Sequence, residues 1–235
     1  MELFYTPSSN ITQKDFLITN SEARHIIRVL RKKIDDELFF TDGCGWQYRG
    51  RITEMRNLVI KGEVLESTFI PREPGVRLTL AFGLLKGARN DFLIEKCTEL
   101  GVYAFQPFLS RYSVIHKPGP NKILRFSKIA QAAMKQSLRT ILPAILPVIP
   151  FSTLIDNLKD FNHVLVADPN GPVSLDTRDL SGQSSLLIIG PEGGLAREEI
   201  DALLIKGAKS FSLGKTRLRS ETAALAATAR ILLSQ

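Results

Sequence analysis

Leu186-Leu187-Ile188-Ile189-Gly190-Pro191-Glu192-Gly193-Gly194 is the stretch on which the reading of this chain turns. An apolar run of strand length empties into a glycine-rich turn, and a helical pattern from Arg197 to Lys206 follows at once. A buried strand feeding a helix is the unit of an α/β sheet, and open sheets of that kind bind ligands at the carboxyl ends of their strands. Glycine lets the backbone enter positive φ or approach a ligand closely, and Pro191 stiffens the turn between them. The stretch matches neither GxGxxG nor GxxxxGK[ST], which disfavours a Rossmann dinucleotide site and a P-loop and leaves a smaller ligand.

Outward from this turn the same alternation continues. Apolar runs at Val76 to Phe82, Tyr103 to Leu109, Val164 to Ala167 and Ser210 to Leu213 join Ser185 to Ile189 as strands of a parallel sheet. Helices are expected between them, one from Asp91 to Leu100 with Asn90 as its cap and Gly101 as its stop, another from Asn121 to Arg139. Residues 1 to 70 read differently, as short β segments at Leu38 to Phe40, Gln47 to Thr53 and Leu58 to Leu65, with Gly43-Cys44-Gly45 as a hairpin turn. One helix, capped by Ser21, interrupts them and carries Arg24, His25, Arg28, Arg31, Lys32 and Lys33 around an apolar side of Ile26, Ile27, Val29 and Leu30. Pro71-Arg72-Glu73-Pro74-Gly75 cannot continue a central strand and marks the boundary between a domain at 1–70 and another at 75–235.

Charge is informative by location. Between Leu100 and Ile155 there is no Asp or Glu, while Arg111, Lys117, Lys122, Arg125, Lys128, Lys135 and Arg139 supply seven positive charges, equal to the whole net charge of +7. On the helix from Asn121, Arg125, Lys128, Lys135 and Arg139 fall on the side opposite Ile123, Phe126, Ala130, Ala133 and Met134. A solvated face usually mixes signs, so an acid-free face points to a polyanion, with RNA or DNA as the leading partner class. With 44% apolar residues and no uncharged stretch long enough to span a bilayer, the chain reads as soluble and cytoplasmic. Cys44 and Cys97 stand far apart, and neither a disulfide framework nor a metal site is indicated. No Ser/His/Asp set appears, and the histidines stand alone.

A second cluster, Leu213-Gly214-Lys215-Thr216-Arg217-Leu218-Arg219-Ser220-Glu221-Thr222-Ala223, again follows a strand and opens a helix, with Ser220 or Thr222 available as its cap. The helix beyond is rich in alanine, which suits close packing against a sheet or a partner subunit.

Together these clusters resemble the 16S rRNA uridine-N3 methyltransferase family of the SPOUT class. His25 with Val29-Leu30-Arg31, Glu95 through Val102, Gln136-Ser137-Leu138-Arg139 with Pro143, Ile189 through Gly194, and Leu213-Gly214 through Ala223 occur in the family's order and span nearly the whole chain. The resemblance implies a PUA-like β-barrel that helps dock RNA, followed by an α/β domain whose last segment threads a trefoil knot. It implies a homodimer that binds S-adenosylmethionine (SAM) in the knot loops and acts on 16S rRNA in the small ribosomal subunit. By that likeness Leu165, Val166, Ala167, Gly190, Pro191, Glu192, Gly193, Gly194, Leu213, Gly214, Leu218 and Ala223 surround the cofactor. Arg219 and Glu221 are the candidate catalytic pair, and His25, Arg28, Arg31, Arg125 and Arg139 the candidate RNA contacts. The chain departs from the family at Thr216-Arg217 and at Ala196, where a serine cap is usual; the lost cap is expected to cost about 1 kcal/mol. The rival readings are a catalytically silent RNA-binding or ribosome-assembly factor, and a SPOUT enzyme acting on tRNA.

Overall fold

The computed structural model describes residues 2–172, 177 and 180–233, and its chain forms two compact units. One comprises Met1–Glu73 with Gln131–Leu142, the other Pro74–Ala130 with Pro143–Gln235. The division falls inside the proline-rich segment, and the grouping of 131–142 with the N-terminal residues had no signal in the sequence.

In the N-terminal unit the elements are β1 (Leu3–Tyr5), β2 (Asp15–Thr19), α1 (Asn20–Arg24), β3 (Glu37–Thr41), β4 (Trp46–Arg56) and β5 (Val59–Phe69). They form one five-stranded sheet in the order β1-β3-β4-β5-β2, antiparallel except for the parallel β1–β3 pair. Alternation sends Phe16, Ile18, Leu38, Phe40, Ile52 and Ile60 to one buried face, which Ala23 and Ile26 of the helical segment cover. The Asp42 carboxylate fixes the β3–β4 turn by accepting the Cys44 N–H at 2.8 Å. Among the described residues no backbone ladder joins β1 to β2, but the Thr6 hydroxyl donates to the Leu17 carbonyl at 2.6 Å and ties the two edges.

The helix expected behind Ser21 takes another form. It begins two residues earlier, at Asn20 in the left-handed region (φ 57°), and no side chain caps it. After Arg24 it widens, so that the Leu30 N–H reaches back five residues to the His25 carbonyl at 3.1 Å. Ser21 therefore lies inside the helix and is not its cap.

The C-terminal unit runs β6 (Arg77–Gly83), α2 (Arg89–Glu99), β7 (Ala104–Leu109), α3 (Lys122–Gln136), β8 (Ala144–Ile145), β9 (Ile149–Pro150), α4 (Phe151–Asp156), β10 (His163–Ala167), β11 (Ser184–Ile189), α5 (Arg197–Ile205), β12 (Lys209–Phe211) and α6 (Ser220–Leu232). From Gln131 onward α3 groups with the N-terminal unit. The strands form one parallel sheet in the order β12-β10-β11-β6-β7-β8, with β9 paired to β7. Its centre, β11 beside β6, is buried on both faces, which explains the unbroken apolar runs. On one face Leu154, Leu158 and Leu203 pack over Ala81, Phe108, Val166, Leu186 and Ile188. On the other, α2 and α6 pack together, the Cys97 thiol lying 3.8 Å from the Thr228 hydroxyl. Ala224 and Ala227 of α6 are fully buried, as expected of an alanine-rich helix seated close against a sheet. No described helix is long and apolar enough to cross a membrane.

Candidate active site

In this strand order the chain leaves β6 toward β7 on one side, while β11 lies on the other. Loops that diverge from neighbouring strands open a crevice at the carboxyl edge, the usual ligand site of such sheets. Four segments border it: residues 84–88 after β6, 168–172 after β10, 190–194 after β11 and 212–219 after β12.

The 190–194 turn closes on itself, the Gly194 N–H donating to the Pro191 carbonyl at 2.8 Å. Side chains are excluded where it folds. A Cβ on Gly190 would lie 3.0 Å from the Gly194 carbonyl carbon, and Gly194 has a φ of 75° that L side chains rarely adopt. The end of β6 yields as well, since a Cβ on Gly83 would come within 2.5 Å of the Pro191 nitrogen. The loop after β12 is tied down by the Ser212 N–H on the Pro172 carbonyl (2.8 Å) and by the Ser212 hydroxyl on the Gly214 carbonyl (3.1 Å). The 168–172 segment is tied to β12 by the Asp168 N–H on the Phe211 carbonyl at 2.9 Å.

The expected cofactor residues divide sharply by position. Gly190 through Gly194, Ala167, Leu213 and Gly214 sit at or just beyond the ends of three neighbouring strands, and Leu218, 36% exposed, borders the start of α6. Ala223 lies in the first turn of α6. The side chains of Leu165 and Val166 are buried within the sheet, and both residues pair with β11 on one side and β12 on the other.

At the start of α6 the residue in the cap position is Arg219, with extended backbone and no side-chain bond; Ser220 and Thr222 lie within the helix. The Arg219 side chain is exposed and makes no ion pair among the described residues. Glu221 is 12% exposed and lies 3.7 Å from Nε of Arg89, a residue the sequence reading did not single out. Arg89 also donates from Nη1 to Glu192 Oε1 at 3.3 Å, and the same oxygen accepts the Lys86 N–H at 2.8 Å. The second carboxylate oxygens of Glu192 and Glu221 are buried and, among the described residues, have no hydrogen-bond partner. Buried acceptors left unsatisfied are costly, and a site that binds a donor-bearing ligand is where they are tolerated.

Asn90 is not the cap of α2. Buried in the helix's first turn, its side chain accepts the Leu85 N–H at 2.9 Å and donates to the Leu85 carbonyl at 2.6 Å, pinning the loop after β6. Ala196, at the start of α5, has no acceptor to offer, yet half of a capping box survives: Glu199 takes the Ala196 N–H at 2.8 Å. The other oxygen of Glu199 accepts the Arg111 N–H at 2.9 Å, so the expected loss from the missing serine is partly offset.

The acid-free face of α3 is partly neutralised from afar. Arg125 donates from Nε to Asp91 at 3.2 Å, and Lys135 pairs with Glu22. Arg139 is 4% exposed and clamped by Glu73, with Nε 3.0 Å from Oε1, so in the folded chain it forms a buried ion pair. Lys128 remains exposed. On the widened helical segment His25 meets Glu2 at 2.9 Å, while Arg24, Arg28, Arg31 and Lys33 are exposed and make no ion pair among the described residues.

Cys97 is fully buried, and burial pushes its thiol up to about 12, which suits packing and not nucleophilic attack. Among the described residues no group of three or more His, Cys, Asp or Glu is placed to hold a metal.

A parallel sheet with a glycine-rich turn at its carboxyl edge, carried by a chain with a small β unit, defines an α/β protein of the kind that binds ligands at that edge. Comparison with known proteins sharpens this: residues 72–232 match the model of the RNA methyltransferase domain, and residues 18–61 that of the RNA methyltransferase PUA domain. The chain belongs to this RNA methyltransferase family. It is 33% identical to the ribosomal RNA small subunit methyltransferase E of Bacillus subtilis, covering 92% of this chain and 89% of that one. To the protein of the same name from Synechocystis it is 31% identical over 94% of this chain and 74% of that one. A crystal structure of ribosomal RNA small subunit methyltransferase E from Neisseria gonorrhoeae, bound to S-adenosyl methionine, superposes with a TM-score of 0.90 at 30% identity, covering 100% of this chain and 98% of that one.

Proposed function

We propose that this protein is a SAM-dependent methyltransferase that methylates N3 of a uridine in small-subunit (16S) ribosomal RNA. The observation that carries the reading is the end-to-end likeness to the SAM-bound Neisseria gonorrhoeae enzyme, in a chain whose Gly190–Gly194 turn is closed by its own backbone. The residues fit the cofactor: the turn leaves no room for side chains where it folds, and Glu192 and Glu221 each hold a buried oxygen in need of a donor. Ala167, Gly190–Gly194, Leu213, Gly214, Leu218 and Ala223 would hold it, mostly through backbone groups. When bound, SAM supplies an electrophilic methyl group on a sulfonium.

Uridine N3 is a weakly acidic imide nitrogen, so its proton must leave as the N–CH3 bond forms, and positioning supplies much of the rate. Arg219, exposed and without an ion pair among the described residues, meets the negative charge that develops on the uracil carbonyls. Glu221, held by Arg89 and not by Arg219, accepts the imide proton on its free oxygen. His25, Arg28 and Arg31 dock the RNA, with Arg125 a weaker contact because Asp91 already neutralises it. The protein works as a homodimer in the cytoplasm on small ribosomal subunits, and its last segment closes as a trefoil knot. The test offers radiolabelled SAM with unmodified small subunits and, separately, with unmodified tRNA. Label confined to the small subunit supports the reading; label in tRNA alone moves the enzyme to the tRNA class. SAM binding with no transfer to either would leave a silent RNA-binding factor.

A further inference from the structure

Arg89 occupies the first position of α2, where the helix dipole disfavours a cation, so helix preference does not account for an arginine there. Its surroundings do. The guanidinium lies 3.3 Å from Glu192 in the turn after β11 and 3.7 Å from Glu221 in the first turn of α6, bringing together three segments distant in sequence. Glu192 and Glu221 are 22% and 12% exposed, so their charges are poorly screened by solvent. Two such carboxylates around one site repel each other unless a cation stands between them. Each spends one oxygen on Arg89 and keeps the other buried and, among the described residues, unsatisfied.

We propose that Arg89 is a positioning residue that sets the geometry of the SAM site: it holds Glu192 and Glu221 as a pair and leaves one oxygen of each free, Glu192's for a donor of the cofactor and Glu221's for the imide N–H. The inference rests on the SAM-binding reading above. Without Arg89 the like charges separate, and Glu192 draws with it the 190–194 turn that its Lys86 contact otherwise fixes. A conservative lysine keeps the charge but not the two-sided geometry of the guanidinium.

The test measures SAM affinity by calorimetry, without RNA, for the wild type, Arg89→Ala, Arg89→Lys and the double variant Arg89→Ala/Glu221→Gln, alongside thermal unfolding of each ligand-free protein. The expected result is a loss of about tenfold or more in affinity for Arg89→Ala, a smaller loss for Arg89→Lys, and recovery toward wild type in the double variant, where one of the repelling charges is gone. Rescue by removing a second side chain is an outcome that lost packing alone does not give. Wild-type affinity in Arg89→Ala, or a double variant no better than it, overturns the proposal. Absence of SAM binding by the wild type overturns instead the functional reading on which it rests.

Discussion

Arg219 and Glu221 stand two residues apart at the mouth of α6 yet have opposite surroundings. The arginine is exposed with no ion pair among the described residues, while the carboxylate is nearly enclosed and faces Arg89. Charge that is free of partners before the substrate arrives can be applied fully to the charge that develops during reaction. Arg219→Ala should therefore lower the turnover number by about a hundredfold and leave calorimetric SAM affinity within about twofold. Full turnover with undiminished RNA binding would remove Arg219 from the mechanism. At this scale the sequence singled out Arg219 and Glu221 but not Arg89, which lies far from Glu221 in the chain and meets it only in the folded structure.

Among the elements, the loop from β6 into α2 depends on one side chain. Asn90 satisfies both backbone groups of Leu85 in a buried setting, and an alanine there orphans a donor and an acceptor together. Asn90→Ala should cost about 2–3 kcal/mol, read as a lower urea midpoint at unchanged m-value, and should weaken SAM binding through the displaced loop. A midpoint equal to wild type would mean that water replaces both bonds without loss. Strands β6, β7 and β11 of the C-terminal sheet were legible because burial on both faces leaves unbroken apolar runs. The two-residue strands β8 and β9 were not, since Pro143, Pro147 and Pro150 mask so short a pattern. Local caps were the weakest part of the reading. Ser21, Asn90, Ser220 and Thr222 all have side chains suited to capping, but tertiary hydrogen bonds or helix register placed each of them elsewhere.

For the molecule as a whole, the excess positive charge was visible in the sequence, whereas its neutralisation was not, because Glu22, Glu73 and Asp91 reach the α3 segment from remote stretches of chain. This separates two kinds of arginine. Arg139→Ala breaks a buried pair and should lower stability by about 3 kcal/mol, while RNA affinity measured on the folded variant stays unchanged. Arg28→Ala should leave the melting temperature nearly unaltered and weaken RNA binding, reducing the slope of log K against log salt by about one. Equal salt slopes for wild type and Arg28→Ala would exclude that residue from the docking surface. The central claim concerns the reaction itself, and nucleoside analysis tests it most directly. Small subunits lacking modifications are incubated with the purified protein and methyl-labelled SAM, the RNA is digested, and the labelled nucleoside is identified. The account predicts 3-methyluridine as the single labelled product; label on any other atom or base, or no label from a protein shown to bind SAM, would contradict it.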